Sequence, residues 1–176
     1  MHGYSKPEEI MLVFGGLDDS AGLTERIAKH LTRYYPNLDP AAYNPKPVIL
    51  GVAQNVAAAG TIAGVITVPT LTLFYGVKTA CTIDNTAGSA NYPYTQPGVL
   101  MTGTMSTPDG GLILGSNNNN FSYASFAGPQ VTRVEPFWMG AQQQLALNAT
   151  NNEPILLSTS FTLYGVGCYT AGGPII

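Results

Sequence analysis

This 176-residue chain has two histidines and two cysteines, the side chains most typical of transition-metal sites and of thiol chemistry: His2, His30, Cys81 and Cys168. Neither histidine has a second histidine, a cysteine or a carboxylate at the spacing of a metal-binding motif. A nucleophilic cysteine needs a nearby histidine as its base, and residues 48–176 contain no histidine. We therefore predict no metal site and two core thiols. A disulfide between neighbouring strands is the alternative for the two cysteines.

Four carboxylates are the remaining candidates for acid–base catalysis: Asp84, Asp109, Glu135 and Glu153. Asp109 and Glu153 each lie in a stretch typical of turns, and the other two are isolated in sequence. Glycoside hydrolysis needs two carboxylates held close together, and nothing in the spacing favours such a pair. The chain also lacks the Gly-x-Ser-x-Gly of a hydrolase and the Lys-Ser/Thr of a phosphate loop. We predict that it is not an enzyme and binds no cofactor.

Charged residues are scarce and unevenly placed. They make up 10% of the chain, against about 25% in an average protein. Eleven of them lie in residues 1–46, and only six lie in the rest of the chain. The first part carries five basic and six acidic residues, so it offers no excess positive charge for phosphate groups. Direct nucleic-acid binding is therefore not expected.

This shift in composition predicts three segments: an N-terminal arm over 1–35, a connector over 36–47 and a body over 48–176. Four prolines in the connector exclude a helix and favour an extended chain. The boundary between the charged and the charge-poor part of the sequence falls at the end of this connector.

The arm has the pattern of amphipathic helices. Ser5 and Glu8 have the spacing of a capping box, and Pro36 ends the helical pattern. The apolar positions recur at helical spacing and are Ile10, Phe14, Leu23, Ile27 and Leu31. Such helices need an apolar surface to lie against, either on their own body or on a neighbouring molecule. We predict that these five residues anchor the arm on a neighbouring subunit.

The body has the period-two alternation of β-strands. Between residues 70 and 83 one set of alternating positions is apolar: Leu71, Leu73, Tyr75, Val77, Cys81 and Ile83. Further strands are predicted at 99–106, 112–114, 121–123, 130–139, 142–148 and 155–169, with two more in 48–68. In the last long strand the apolar residues change parity near Gly165, which indicates a β-bulge there. These strands predict a mainly β protein, an antiparallel, jelly-roll-like β-sandwich with a short helical N-terminal arm.

Residues 48–68 also admit a different interpretation. These 21 residues carry no charge and include a Gly-x-x-x-Gly pattern, so a transmembrane helix is the alternative. Gln54 and Asn55 lie inside the span, and Lys46 is the only nearby positive charge. We therefore favour two short strands and do not expect membrane association.

Several aromatic residues lie in loop-like surroundings rich in Asn and Ser. Tyr92, Tyr94 and Tyr123 are candidates for a surface that binds a host glycan or receptor, through the loops around 91–97 and 117–126. The competing interpretation, which we favour, is that these rings fill the core or seal subunit contacts.

The exposed faces of the body are predicted to be built of Thr, Ser, Asn and Gln, and they lack the like-charge repulsion that keeps proteins apart. We therefore expect a structural protein of a virus particle, namely a bacteriophage capsid-associated, vertex or decoration protein. Its partners would be copies of itself and other capsid proteins. Acidic residues precede the first apolar stretch, where a secretory signal would be basic. We thus expect synthesis in the host cytoplasm and location in the virion, with a glycan-binding spike or fibre module as the alternative.

Overall fold

The computed structural model describes residues 23–37, 44–83, 97–107, 112–114, 120–170 and 172–175. Helix α1 spans Leu23–Tyr34, and a short 3₁₀ helix spans Tyr123–Phe126. The strands are β1 (Asn44–Val56), β2 (Thr61–Thr67), β3 (Thr72–Ile83), β4 (Met101–Ser106), β5 (Leu112–Leu114), β6 (Phe121–Ser122), β7 (Thr132–Met139), β8 (Gln144–Asn151), β9 (Leu157–Thr170) and β10 (Gly173–Pro174). Strands dominate the described chain, which confirms the mainly β prediction.

The strands form two antiparallel sheets. Sheet A has the order β1-β9-β3-β7, with β10 also paired to β9. Sheet B has the order β2-β8-β4-β5, with β6 also paired to β4. The pairs β1–β9, β2–β8, β3–β7 and β4–β5 are nested in the sequence, so an outer pair always encloses the next one.

One hydrophobic core takes its side chains from both sheets. In β8, Leu145 and Leu147 are buried and alternate with exposed or half-buried residues, among them Gln144 and Asn148. Met101 and Met105 do the same in β4, and Phe161 is the buried ring of β9. This alternation is the signature of sheets with one apolar and one solvated face, and the arrangement is sandwich-like.

A β-bulge in β3 changes which face its apolar residues occupy. The register with β9 shifts between Phe74 and Gly76, so Tyr75 is an extra residue. Up to and including the bulge residue, Leu73 and Tyr75 face away from the inner core and belong to a second cluster. After it, Val77 belongs to the inner core. The sequence places all these residues on one face, and that prediction is wrong because the bulge reverses the parity.

No corresponding switch occurs in β9 at Gly165. Phe161 and Leu163 face the inner core, and Val166 and Cys168 face the second cluster on the other side of sheet A. The alternation of β9 is therefore unbroken, and both of its faces are apolar at this end. The parity change in the sequence reflects a second layer packed on the outside of the sheet.

Residues 48–68 form β1, a turn and β2, as the favoured interpretation predicts. β1 begins at Asn44, so its first four residues lie within the segment 36–47 that we assigned to the connector. Among the described residues, no helix is long and apolar enough to span a membrane.

Candidate functional site

Helix α1 packs on the outer face of sheet A. Ile27 and Leu31 are fully or almost fully buried, and both lie one helical turn apart on the same side of the helix. They belong to the second cluster, whose other buried members are Leu71, Leu73, Tyr75, Val166, Cys168 and Ile175. The helix thus covers the apolar outer side of β3 and β9.

Polar and aromatic contacts border this helix. The Arg26 Nη2 atom donates to the Glu135 Oε1 atom at 2.9 Å, and both side chains are substantially exposed. An exposed ion pair of this kind stabilises a fold by only about 0–1 kcal/mol. The His30 ring stacks on Trp138 with their centroids 4.0 Å apart. Partial burial lowers the pKa of His30, so the imidazole that stacks on the indole is neutral near pH 7.

This packing changes the assignment of the five predicted anchor residues. Ile27 and Leu31 are buried against their own body, so they are not available to a neighbouring subunit in this structure. Leu23 is the first residue of α1. Ile10 and Phe14 lie outside the described residues. The predicted helix is therefore confirmed for Leu23, Ile27 and Leu31, and the described partner of Ile27 and Leu31 is the chain's own sheet.

Tyr123 lies in the interior rather than on the surface. Its side chain has no exposed area, and its ring stacks on Phe121 with the centroids 5.7 Å apart. It therefore offers no surface to a glycan, because the ring is enclosed by the inner core. Its hydroxyl has no hydrogen-bond partner among the described residues. Tyr92 and Tyr94, the other two candidates, lie outside the described residues.

A buried polar network closes one end of the two sheets. The Asn151 amide nitrogen donates to the carbonyl oxygens of Val56, Ala57 and Ile155, each at 3.0 Å. The Asn151 Oδ1 atom accepts the backbone N–H of Glu153, also at 3.0 Å. One buried side chain thereby holds the end of β1, the turn that follows it and the segment before β9.

The Glu153 carboxylate extends this network to the segment before β4. It is almost fully buried, and its Oε1 atom accepts the backbone N–H groups of Gly98 at 2.8 Å and Leu100 at 3.1 Å. The sequence around Glu153 indicates only a turn, and its bonds to residues more than 50 positions away are not apparent from local spacing. Within this polar network, the local sequence indicates only the Asx-type hydrogen bond between Asn151 and the backbone of residue 153.

The two cysteines are thiols, which confirms the favoured sequence interpretation. Cys168 belongs to the cluster beneath α1, whereas Cys81 packs against the inner core on the other side of sheet A. Burial, and secondarily the nearby Glu153 carboxylate, raises the pKa of Cys81 to about 12. The thiolate form is therefore disfavoured at neutral pH.

We expect the stability of the fold to fall as the pH rises above about 9. The pKa of Cys81 is about 12 in the folded chain against an ordinary value of 9.0, so the unfolded chain loses this proton first. Burial also raises the pKa of Tyr123, which acts in the same direction. Urea unfolding at pH 8 and pH 10.5 measures the effect. The Cys81→Ala variant should lose less stability than the unaltered protein over that interval, and an equal loss would contradict the role of Cys81.

The outer face of sheet B is without charge. Its outward positions on β2, β8 and β4 alternate with the buried residues and align in rows such as Thr61, Thr150 and Thr102. The whole set is Thr61, Ala63, Val65, Thr67, Gln144, Ala146, Asn148, Thr150, Thr102, Thr104 and Ser106. Charged residues make up about 25–35% of an ordinary soluble surface. This face is the most unusual feature of the described surface.

Within the described ranges, no group of three His, Cys, Asp or Glu side chains is placed to hold a metal ion. Comparison with models of known protein families finds no match, and comparison with curated proteins finds none.

Proposed function

We propose that this chain is a structural protein of a virus particle, namely a bacteriophage capsid-associated, vertex or decoration protein. It would act by packing against copies of itself and other capsid proteins. The observation that carries this proposal is the uncharged outer face of sheet B. Removing Thr, Ser, Asn and Ala side chains from water costs less free energy than removing charged groups. Such a face is therefore suited to close subunit contact.

The strand order supports a jelly-roll assignment. In a jelly roll, eight strands form two Greek keys across two sheets. The nested pairs β1–β9, β2–β8, β3–β7 and β4–β5 agree with that pattern when β5 and β6 are counted as one interrupted strand. Jelly rolls occur in viral capsid proteins, lectin domains and cupins. The fold alone therefore does not decide between these functions, and the uncharged surface is the reason for the choice.

The proposed arm consists of two parts, helix α1 and the residues that precede it. Helix α1 attaches to its own body through Ile27 and Leu31. The proposal that the arm anchors the protein on a neighbouring subunit therefore rests on Ile10 and Phe14, which precede that helix in the sequence. This division also matters for experiments. Deleting residues 1–46 would remove α1 and uncover the apolar cluster on sheet A, whereas deleting 1–22 would leave it covered.

The test is the presence of the chain in particles. In virions purified from the source of this sequence, we expect the protein at a fixed copy number by gel densitometry and mass spectrometry. A variant that lacks residues 1–22 should keep the circular dichroism of a folded sheet protein and be depleted from particles. Absence of the full-length protein from the virions would contradict the proposed function. Normal incorporation of the shortened protein would contradict only the anchor.

A further inference from the structure

The edges of the two sheets are unequally protected. On one side of the sandwich, the described sheets end at β1 and β2, which follow each other in the chain and touch. Val52 of β1 packs closely on Gly64 of β2, where a Cβ atom would lie 2.8 Å from the Val52 Cγ2 atom. On the other side, the sheets end at β7 and at the short β5 and β6. An edge strand has unpaired backbone groups that can pair with another chain, so proteins normally block it.

The β7 side has several of the usual blocking features. β7 carries Arg133, Glu135 and Pro136, and its register with β3 is broken at the bulge. β5 has three residues and β6 has two, which leaves little backbone for pairing. Charge, proline, irregular register and short length are the devices that prevent edge-to-edge association.

The β1 side lacks these features over most of its length. β1 has 13 residues and pairs with β9 without a register shift. Pro45, Lys46 and Pro47 protect its start, but residues 48–56 contain no charge and no proline. Ile49 is 61% exposed on the outside of this strand. β2 has seven residues, also without charge or proline, and its Val65 is 60% exposed.

We infer that a second copy of this chain covers the β1 side, with residues 48–56 of the two copies paired as antiparallel strands. A two-fold axis perpendicular to the sheets brings β1 against β1 in opposite directions, which is the geometry that antiparallel pairing requires. Because the segment carries no charge, two identical edges meet without repulsion. This inference rests on the proposed function and names the surface and partner for it.

The area of the β1 side is large enough for a dimer interface. Nine residues at about 3.3 Å each extend over about 30 Å, and two sheets about 10 Å apart with their side chains give a wall about 20 Å thick. The resulting footprint of about 600 Å² per copy is close to the roughly 800 Å² that each partner buries in a standard interface.

Two matched substitutions test the pairing. Ala53 of β1 and Ala80 of β3 are both exposed and both face Ser160 of β9, so they lie in one row on the same face of sheet A. They differ in distance from the edge by two strand spacings, about 10 Å. Ala53→Lys places like charges near each other across the two-fold axis, and Ala80→Lys adds the same charge away from the edge.

Molecular mass by sedimentation equilibrium over a range of concentrations is the readout. We expect Ala53→Lys to raise the dimer dissociation constant by about tenfold or more and Ala80→Lys to change it by about twofold at most. In the unaltered protein, the amides of residues 48–56 should exchange hydrogen more slowly in concentrated than in diluted samples. This second measurement needs no variant.

The outcomes separate the inference from the proposed function. An oligomer that Ala53→Lys leaves unchanged, with amide exchange in 48–56 independent of concentration, would overturn the edge pairing and leave subunit packing intact. Equal weakening by both variants would assign the contact to the face of sheet A and also overturn the edge pairing. A protein that stays monomeric, with residues 48–56 protected at every concentration, would show that its own chain covers the edge. That result would contradict both proposals.

Discussion

Replacing Asn151 by alanine is expected to lower the free energy of unfolding by about 3–5 kcal/mol, because each buried backbone group left without a partner costs about 1–3 kcal/mol. The substitution removes one amide group that serves Val56, Ala57, Ile155 and the backbone of Glu153. These four backbone groups belong to two separate stretches, 56–57 and 153–155, and the bonds to Val56 and Glu153 are buried, where water does not replace the lost partner. Urea unfolding followed by far-ultraviolet circular dichroism measures the change.

Asn152→Ala is the matched control for this prediction. Asn152 is the next residue in the chain and is exposed, so the same substitution there should change stability by about 0.5 kcal/mol or less. A similar loss for both variants would show that the effect comes from the local turn. A loss below about 1 kcal/mol for Asn151→Ala would contradict the structural role of the network.

Replacing Leu31 by aspartate is expected to detach helix α1 from sheet A, at a cost of at least about 3 kcal/mol. Leu31 is 2% exposed and packs in the mostly apolar cluster formed with β3 and β9, where a carboxylate would lose its contact with water. Trp138 is the only tryptophan of the chain and stacks on His30 of the same helix. Its fluorescence therefore reports whether the helix is docked, and we expect its emission to shift to longer wavelength.

Thr32→Asp controls for the added charge and for the helix propensity of aspartate. Thr32 is exposed and lies beside Leu31 in the same helical turn. This variant should lose much less stability and keep the emission wavelength of the unaltered protein. An unshifted emission in Leu31→Asp, with the protein still folded, would contradict the docking of α1 on sheet A.

Elements whose structure is determined by local contacts are predictable from the sequence. The stripe that ends with Ile27 and Leu31 predicts a helix, and α1 ends at Tyr34, two residues before Pro36. β4 and β8 follow the predicted alternation because each has one apolar and one polar face. In these elements the pattern within a few residues decides the structure.

β3 was misassigned because its surroundings are apolar on both faces. Leu73 lies beneath α1 and Val77 lies in the inner core, although both have the same parity in the sequence. A bulge is invisible to periodicity when the residues on either side of it are apolar. Glu153 was underestimated for another reason, since its partners Gly98 and Leu100 are more than 50 residues away.

The scarcity of charged residues predicts an interaction surface, but it does not indicate which face or edge of the fold forms that surface. The register of β2, β8 and β4 is needed to show that the eleven outward residues of these three strands form one uncharged surface. Strand order is likewise needed to show that β1 is an edge and that β7, with Arg133 and Glu135, is the opposite one. These are long-range properties that a single sequence does not display.

The native mass of the full-length protein tests the central claim most directly. We predict that light scattering after size exclusion gives a mass of at least two chains of 18.5 kDa at micromolar concentration. Assembly through uncharged surfaces should also persist at high salt, since salt screens only charged contacts. A stable monomer of 18.5 kDa across the whole concentration range would contradict the claim that this protein works by packing against other subunits.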